Sequence, residues 1–399
     1  MLDRYRRVLG APHVLGLVVS SVLARTPIGM ISLALVIYVE RLTGSFGAAG
    51  AVTAAFAIAA GVASPLQGRL IDRVGQRRIL VPCVCAHAGA IVGVVVLGEA
   101  GAPTTLLAIV AAAAGAGTPP VGAALRPLWP GLLDDEALLP AAYALDSILV
   151  EAVFSLGPLL TAALVTIYSP VAALLAGAAI VLVGTLWFAA LPPSREWRGE
   201  PSTSGWAGPL RAPGMLTLLA AAVGAGACFG VFEVALPAFG KDHGSASLGG
   251  PLITAWALGS MAGGITYGAL SERLGPLARA FLRLAALLPM VSALTLAASS
   301  VVAMAVLIPL AGVVIAPLQA TQNQLVGLVA PVGTITEAYT WVLMGLVVGL
   351  AGGNALAGVL VDASGWRAAV VAGCAFAALG AAVGWARRAT LRPAAAVTA

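Results

Sequence analysis

Gly68-Arg69-Leu70-Ile71-Asp72-Arg73-Val74-Gly75-Gln76-Arg77-Arg78 is a dense charged stretch set between two long apolar runs, in a chain whose charged residues make up only 9% of the total. About two hundred positions later a weaker copy, Gly268-Ala269-Leu270-Ser271-Glu272-Arg273-Leu274-Gly275, again lies between apolar runs. Both read Gly, three residues, an acid followed by Arg, one residue, Gly. A polar loop that punctuates hydrophobic segments and returns after half the chain implies two related halves, each built of membrane-length segments.

The bulk numbers agree. The chain has 399 residues, of which 60% are hydrophobic, and a mean hydropathy of +1.01; soluble domains carry about 25% charged residues. Apolar runs of roughly 20 residues cross a hydrocarbon core of about 30 Å as helices. Lipid offers no partner to a backbone amide, so spanning segments must be helices or a closed barrel, and the polar–apolar alternation of a barrel is missing. The expectation is an all-α polytopic membrane protein. Its net charge of +5 resides almost wholly in arginines of particular loops, which does not point to nucleic acid. Cys83, Cys85, Cys228 and Cys374 lie inside apolar runs without CxxC spacing, so they read as packing residues rather than a zinc site or disulfide framework. His13, His87 and His243 are isolated. With no nucleophile–base pair and no metal cluster, an enzyme, a metal and a cofactor are all unexpected.

The first segment opens with Arg4, Arg6 and Arg7 and a run from Val14 to Ala24 that mimics a signal peptide. The run resumes at Thr26 and continues to Val39, so it reads as one crossing. Its counterpart is Pro213 to Phe239, with Pro12 matching Pro213, Gly29 matching Gly230 and Ala34 matching Ala235. Further segments fall at about 48–68, 79–98, 103–125, 141–167, 171–191, 248–270, 281–299, 302–330, 337–360 and 367–386, roughly twelve crossings in all. With the N-terminus cytoplasmic, seventeen arginines collect on that face, from Arg4 to Arg392, while only Arg41, Lys241 and Arg367 stand opposite. Basic residues favour the inside, so both termini are expected there. The Pro-, Gly- and Ser-rich stretch 192–211 reads as a linker between a bundle at 1–191 and a second at 212–399. Ala142-Tyr143 matches Ala338-Tyr339, and Gly157-Pro158 lies opposite Gly353-Asn354. Two similar halves of six helices, with substrate held near the midplane between them, is the architecture of parallel-repeat transporters.

Several polar residues interrupt the apolar runs. Arg25 lies about thirteen residues into the first segment, near the bilayer centre at 1.5 Å per residue, where a charge costs at least ~2.5–3.5 kcal/mol. It needs a partner, and the fifth segment offers Asp146 and Glu151. Glu151 matches the depth of Arg25 and reads equally as its structural partner or as a proton site. Asp146 is shallower and suits a loop network with Arg126 and Arg73. Burial raises a carboxyl pKa and a neighbouring guanidinium lowers it, a competition that proton coupling exploits. Glu233, about twenty residues into the seventh segment, falls near the outer mouth. Glu337 follows Thr334-Ile335-Thr336 at the start of the eleventh segment, where a Thr cap and a first-turn acid are ordinary helix-end chemistry. The tenth segment supplies Gln319, Thr321, Gln322, Asn323 and Gln324, amides suited to hydrogen-bonding a ligand, and Trp341 with Tyr339 is a candidate aromatic wall.

The first loop resembles the signature G-x-x-x-D-R-x-G-x-R-R of the major facilitator superfamily of secondary transporters, with every fixed position filled. That resemblance implies that Asp72 caps the eleventh helix near Thr336. It also implies that Arg73 looks to Asp134, Asp135, Glu136 or Asp146, and that Gly68 and Gly75 allow close approach and a tight turn. Arg77 and Arg78 complete the latch, which closes the cytoplasmic side; Gly268, Glu272, Arg273 and Gly275 are its second-half equivalent. Gly157-Pro158 is similar to the kink of the antiporter subgroup, although Thr161-Ala162 replaces the Gly pair that follows. The buried arginine that many exporters of the family carry in the fourth helix is not found, because Arg126 falls at the end of its segment. The resemblance implies a monomeric secondary carrier in the cytoplasmic membrane, exporting a small, partly apolar molecule by proton antiport, with the proton gradient as its energy source. A proton-coupled uptake symporter is the alternative, and a receptor or scaffold that does not transport is a remote one.

Overall fold

The computed structural model describes residues 3–44, 46–199, 208–244, 248–270 and 275–392, with the side chains of residues 151 and 158 among those outside the description. All regular structure in these residues is helical. A short amphipathic helix, α1 (Asp3–Gly10), precedes the membrane-length segments. The first of these is α2 (Val14–Arg25) running into α3 (Pro27–Thr43), with Pro27 in the first helical turn, where its missing N–H costs nothing. Then come α4 (Phe46–Val74), α5 (Gln76–Glu99) and α6 (Thr104–Ala116). Across the Pro119-Pro120 break the chain restarts as α7 (Val121–Leu125) and, past one 3-10 turn, α8 (Trp129–Leu132). The helical span therefore reaches Leu132, and Arg126 lies inside it rather than at its end. Next are α9 (Leu139–Ile167), α10 (Pro170–Ala190) and the short α11 (Pro192–Glu196) in the linker region.

The second half repeats the plan with α12 (Pro213–Asp242), α13 (Gly249–Leu270), α14 (Leu277–Ala293), α15 (Val301–Gly312), α16 (Ile315–Val329) and α17 (Ile335–Ala386). At 52 residues α17 would be about 78 Å long if straight, far beyond one crossing. It is folded at Gly365, whose φ of 80° lies in a region that only glycine enters freely. Among the described residues, nine helical stretches are long and apolar enough to cross a membrane.

Small residues set the helix spacing. Hydrocarbon gives helices no hydrophobic reason to associate, so they pair where glycines let backbones meet. The α12–α17 pair is the most extensive in the molecule. A Cβ at Gly226 or Gly230 would strike the carbonyl of Leu346 or Leu350, and one at Gly349 or Gly353 would strike that of Val223 or Ala227. The first half repeats the device: a Cβ at Gly157 on α9 would lie 3.1 Å from the Gly29 Cα and the Thr26 carbonyl oxygen on α2–α3. Matched glycines thus join matched helices in the two halves.

The buried apolar clusters show where the halves meet. One runs through the second half and into residues of the first half near its basic end, among them Tyr5, Ile71, Leu80, Leu125, Trp129 and Tyr143. The other, including Leu35, Val52, Ile91 and Ala111, is confined to the far end of the first half. Continuous core between the halves is therefore restricted to the basic end and the middle. There α4 packs on α17, and α9 on α13 and α16.

Candidate functional site

The first turn of α17 is capped from another helix. An α-helix begins with amides that have no partner of their own, and Thr334, at the N-cap position, supplies none: its side chain makes no capping bond and donates instead to the Pro331 carbonyl at 2.7 Å. The Thr cap expected from sequence is therefore absent. Asp72, at the end of α4 and only 3% exposed, fills the role. Its Oδ1 accepts from the Thr336 amide at 3.0 Å and its Oδ2 from the Glu337 amide at 2.9 Å. A carboxylate at a helix N-terminus also meets the positive end of the dipole. Gly68, one turn back, makes this approach feasible: a Cβ there would stand 2.9 Å from the Glu337 Cα. Gly75 adopts a φ of 101°, ending α4 and starting α5.

Arg73 does not pair with any of the acids the resemblance offers it. Asp135 is taken by Arg7 of α1 at 3.0 Å, and Asp146 by two other arginines. The exposed Arg73 and its neighbour Arg69 instead exert their charge on Glu337 of the second half. The buried Glu337 also accepts from Trp341 Nε1 at 3.3 Å. Trp341 thus reaches this junction from one turn along α17. Arg77 and Arg78, in the first turn of α5, stay exposed.

Asp146 on α9 is fully buried and bridges two guanidinium groups. Arg25 Nη1 donates to its Oδ1 at 2.8 Å and Arg126 Nε to its Oδ2 at 2.9 Å, with the arginine side chains 7% and 11% exposed. Matching depth by residue count favoured Glu151 as the partner of Arg25; Asp146 takes that place. An arginine stem spans about one helical turn, ~5.4 Å, so equal depth was not required. The continuation of the helical span through α7 also brings Arg126 to the other oxygen. Buried charges persist only when paired and hydrogen-bonded, yet this group has one acid for two bases. Arg25 Nη2 is buried with no acceptor among the described residues.

A third contact joins the halves through repeat-related residues. Tyr143 and Tyr339 meet with their hydroxyls 3.1 Å apart. Tyr339 donates to the Asn323 carbonyl at 3.1 Å, which leaves Tyr143 to donate to Tyr339. Arg126 stands over the Tyr339 ring at 5.5 Å, linking this pair to the buried charges. From α1, Tyr5 donates to the Gly264 carbonyl at 2.8 Å, and its ring fills the space that a side chain at Gly268 would need. The network expected between Asp146 and Arg126 is present, without Arg73; the contacts of Tyr5 and Arg7 had no signal in the sequence. The match of Tyr143 with Tyr339 was a legible signal, since residues on a pseudo-two-fold axis touch their own counterparts.

The remaining candidates do not form one site. Glu233 is exposed and accepts from Asn354 Nδ2 on α17 at 3.1 Å. The amides of α16 scatter, because successive residues turn by about 100° on a helix. Gln322 Nε2 donates to the Leu218 carbonyl of α12 at 2.9 Å, and Gln324 Nε2 to the Tyr267 hydroxyl of α13 at 3.1 Å. Gln319 shares a face with Gln322 and Asn323, three and four residues on, while Gln324 turns towards α13. Gly275 has a φ of 79°. Glu272 and Arg273, and the side chains of Glu151 and Pro158, fall outside the described residues.

A helical membrane protein with two halves joined by an inter-helix carboxylate cap is the setting in which the comparisons fall. The family model for the Major Facilitator Superfamily matches residues 17–336 and 234–398. The chain belongs to that superfamily and is a secondary transporter of small molecules, a multi-pass membrane protein rather than an enzyme. Comparison with curated proteins returns no match. Among solved structures, a bacterial homologue of the iron transporter ferroportin, in an outward-facing state, is similar with a TM-score of 0.73 at 14% identity, covering 94% of this chain and 99% of its own. The human organic anion transporter MFSD10 (TETRAN) follows at 0.68 and 16%, covering 95% and 99%. The E. coli fucose:proton symporter gives 0.71 and 12%, covering 94% and 98%. At such identities the likeness shows the fold alone.

Proposed function

We propose that this chain is a proton-coupled exporter of a small, partly apolar molecule, working by alternating access between two six-helix bundles, 1–191 and 212–399, joined by the linker 192–211. On this reading the molecule is a monomer of twelve crossings in a bacterial-type cytoplasmic membrane, with no cofactor. α17 counts as two crossings folded at Gly365, and both termini are cytoplasmic. The observation that carries it is the trans cap. Asp72 of one half closes the first turn of α17 in the other, at the end where the apolar core is continuous between the halves. A contact that uses the end of one helix and the side chain of another is made or broken as a unit, which suits a latch. Gly68, Arg73, Gly75, Thr336 and Glu337 serve that latch, and Gly268 with Glu272, Arg273 and Gly275 is its counterpart.

Proton coupling is assigned to carboxylates of the membrane segments. Asp146 holds two guanidinium groups, and the spare donor of Arg25 can be offered to an acceptor that comes and goes. Glu151, further along α9, and Glu233, on the far side, are the candidates to carry the coupling proton. The likeness of Gly157-Pro158 to the antiporter kink, with Gly157 close against α3, supports the export reading. The test is proton movement on addition of substrate to purified protein in liposomes, screened over drugs, sugars and organic acids. Counter-movement of protons, abolished in Glu151→Gln, is the expected result. Co-movement of proton and substrate would make the protein an uptake symporter, and transport indifferent to a pH gradient would refute the coupling.

A further inference from the structure

A cavity of about 570 Å³ lies beside the Asp72 cap and away from the buried charges, between the start of α5, where the latch loop ends in Arg77 and Arg78, and the end of α10. Its rim is Arg77, Arg78, Arg195 and Arg198; its floor is Val81, Pro82, Leu186, Ala189 and Ala190. The order follows from the helices. Arg77 and Arg78 occupy the first turn of α5, and Val81 and Pro82 lie one turn deeper, facing the last turn of α10.

The rim is electrostatically unfinished. Arg77 and Arg78 make no hydrogen bond or ion pair among the described residues, and α5 opens with neither a side-chain cap nor an acidic residue in its first turn. Two positive charges at the positive end of a helix dipole are unfavourable by themselves and become favourable around an anion. Arg195 is paired with Glu196 at 2.9 Å. Arg198 spends one nitrogen on the carbonyls of Arg195 and Trp197, so most of its donors have no partner among the described residues. The floor selects among anions. An inorganic ion has no use for an apolar floor, and this one continues into the outer surface of α10, where Leu186 and Trp187 are 40% and 41% exposed. In a membrane that surface meets acyl chains.

We propose that this cavity binds an anionic phospholipid, its phosphodiester held by Arg77, Arg78 and Arg198 and the first carbons of its chains lying on Val81, Pro82 and Leu186. Basic pockets between membrane helices take lipid headgroups in this way. The site abuts the latch loop: the Arg198 guanidinium stands 3.0 Å from where a Cβ of Gly75 would be, and Gly199 packs on the backbone of Asp72. The proposal is independent of cargo and of proton coupling.

The experiment is lipid retention by the full chain in detergent, read by native mass spectrometry. Phosphatidylglycerol and phosphatidylcholine of identical acyl chains are compared. Selective retention of phosphatidylglycerol is expected. Each arginine that holds the phosphodiester should lower it about fivefold when removed, so the Arg77→Gln/Arg78→Gln pair should cost on the order of 25-fold and the Arg195→Gln/Arg198→Gln pair at least about fivefold. The Arg387→Gln/Arg388→Gln pair, at the basic end of the other half, should change nothing. If either rim pair fails to fold, the single change Arg78→Gln decides. Equal retention of both lipids would overturn the assignment, as would an equal loss in the Arg387/Arg388 pair. Complete displacement by millimolar inorganic phosphate would make this a site for a free anion and overturn the lipid.

Discussion

Replacing Asp72 with asparagine tests the latch with almost no change of shape. The carboxylate accepts from two backbone amides, those of Thr336 and Glu337. Asparagine has one accepting oxygen, and its Nδ2 would confront the second amide donor to donor. Hydrogen bonds to charged groups contribute about 1.5–3 kcal/mol each, against about 1 for a neutral one. One bond becomes neutral and one is lost, so the closed arrangement should weaken by at least ~2 kcal/mol, or about 30-fold in population. The change falls on the contact between halves, so the fold in the membrane should survive. Spin labels at the exposed Ala137 and Arg279, one on each half at the basic end, report the separation by double electron–electron resonance once the four cysteines are replaced. The expected result in Asp72→Asn is a longer-distance population that the parent protein lacks, accompanied by impaired transport. An unchanged distance distribution with normal transport would refute the argument that this cap holds the halves together.

Asp146→Asn should be far more damaging to stability, since it leaves Arg25 and Arg126 buried against a neutral amide. Loss of one partner of a buried ion pair costs about 3–5 kcal/mol, to be read as a lowered unfolding temperature in detergent. Gly68→Ala introduces a methyl 2.9 Å from the Glu337 Cα and should open the same label pair as Asp72→Asn while leaving the carboxylate intact. An unaffected distance there would mean that α4 and α17 can separate without losing the cap. Tyr339→Phe removes the donor to the Asn323 carbonyl and the acceptor for Tyr143, and should cost about 1 kcal/mol or somewhat more in thermal unfolding. Tyr143→Phe, which removes only a donor to another hydroxyl, should cost less.

The parts of the molecule legible in sequence were those fixed by the solvent. Lipid dictates helices, and their rough bounds followed from hydropathy, whereas the interruptions did not. The Pro119-Pro120 break was passed over, and with it the fact that the helical span continues to Leu132 and buries Arg126. The contact of Asp72 with α17 was reached through the resemblance of its loop, because nothing in a single sequence joins positions 72 and 336. Arg73 shows the limit of that route: whether an exposed arginine finds its partner depends on which competitors arrive first, here Arg7 at Asp135 and Arg25 with Arg126 at Asp146. The α16 amides were grouped because they are adjacent in sequence, when adjacency on a helix disperses side chains around it.

The borrowed cap on α17 has a consequence for solvent. Thr334 makes no capping bond and turns its hydroxyl to Pro331, so when Asp72 withdraws, two amide hydrogens lose the acceptor they have in this arrangement. Water entering the parted end takes its place. Any movement that parts the halves at this end must therefore be a wetting transition, in which the end of α17 exchanges a carboxylate for a hydration shell. The balance between the two states is then set in part by the activity of water beside that helix.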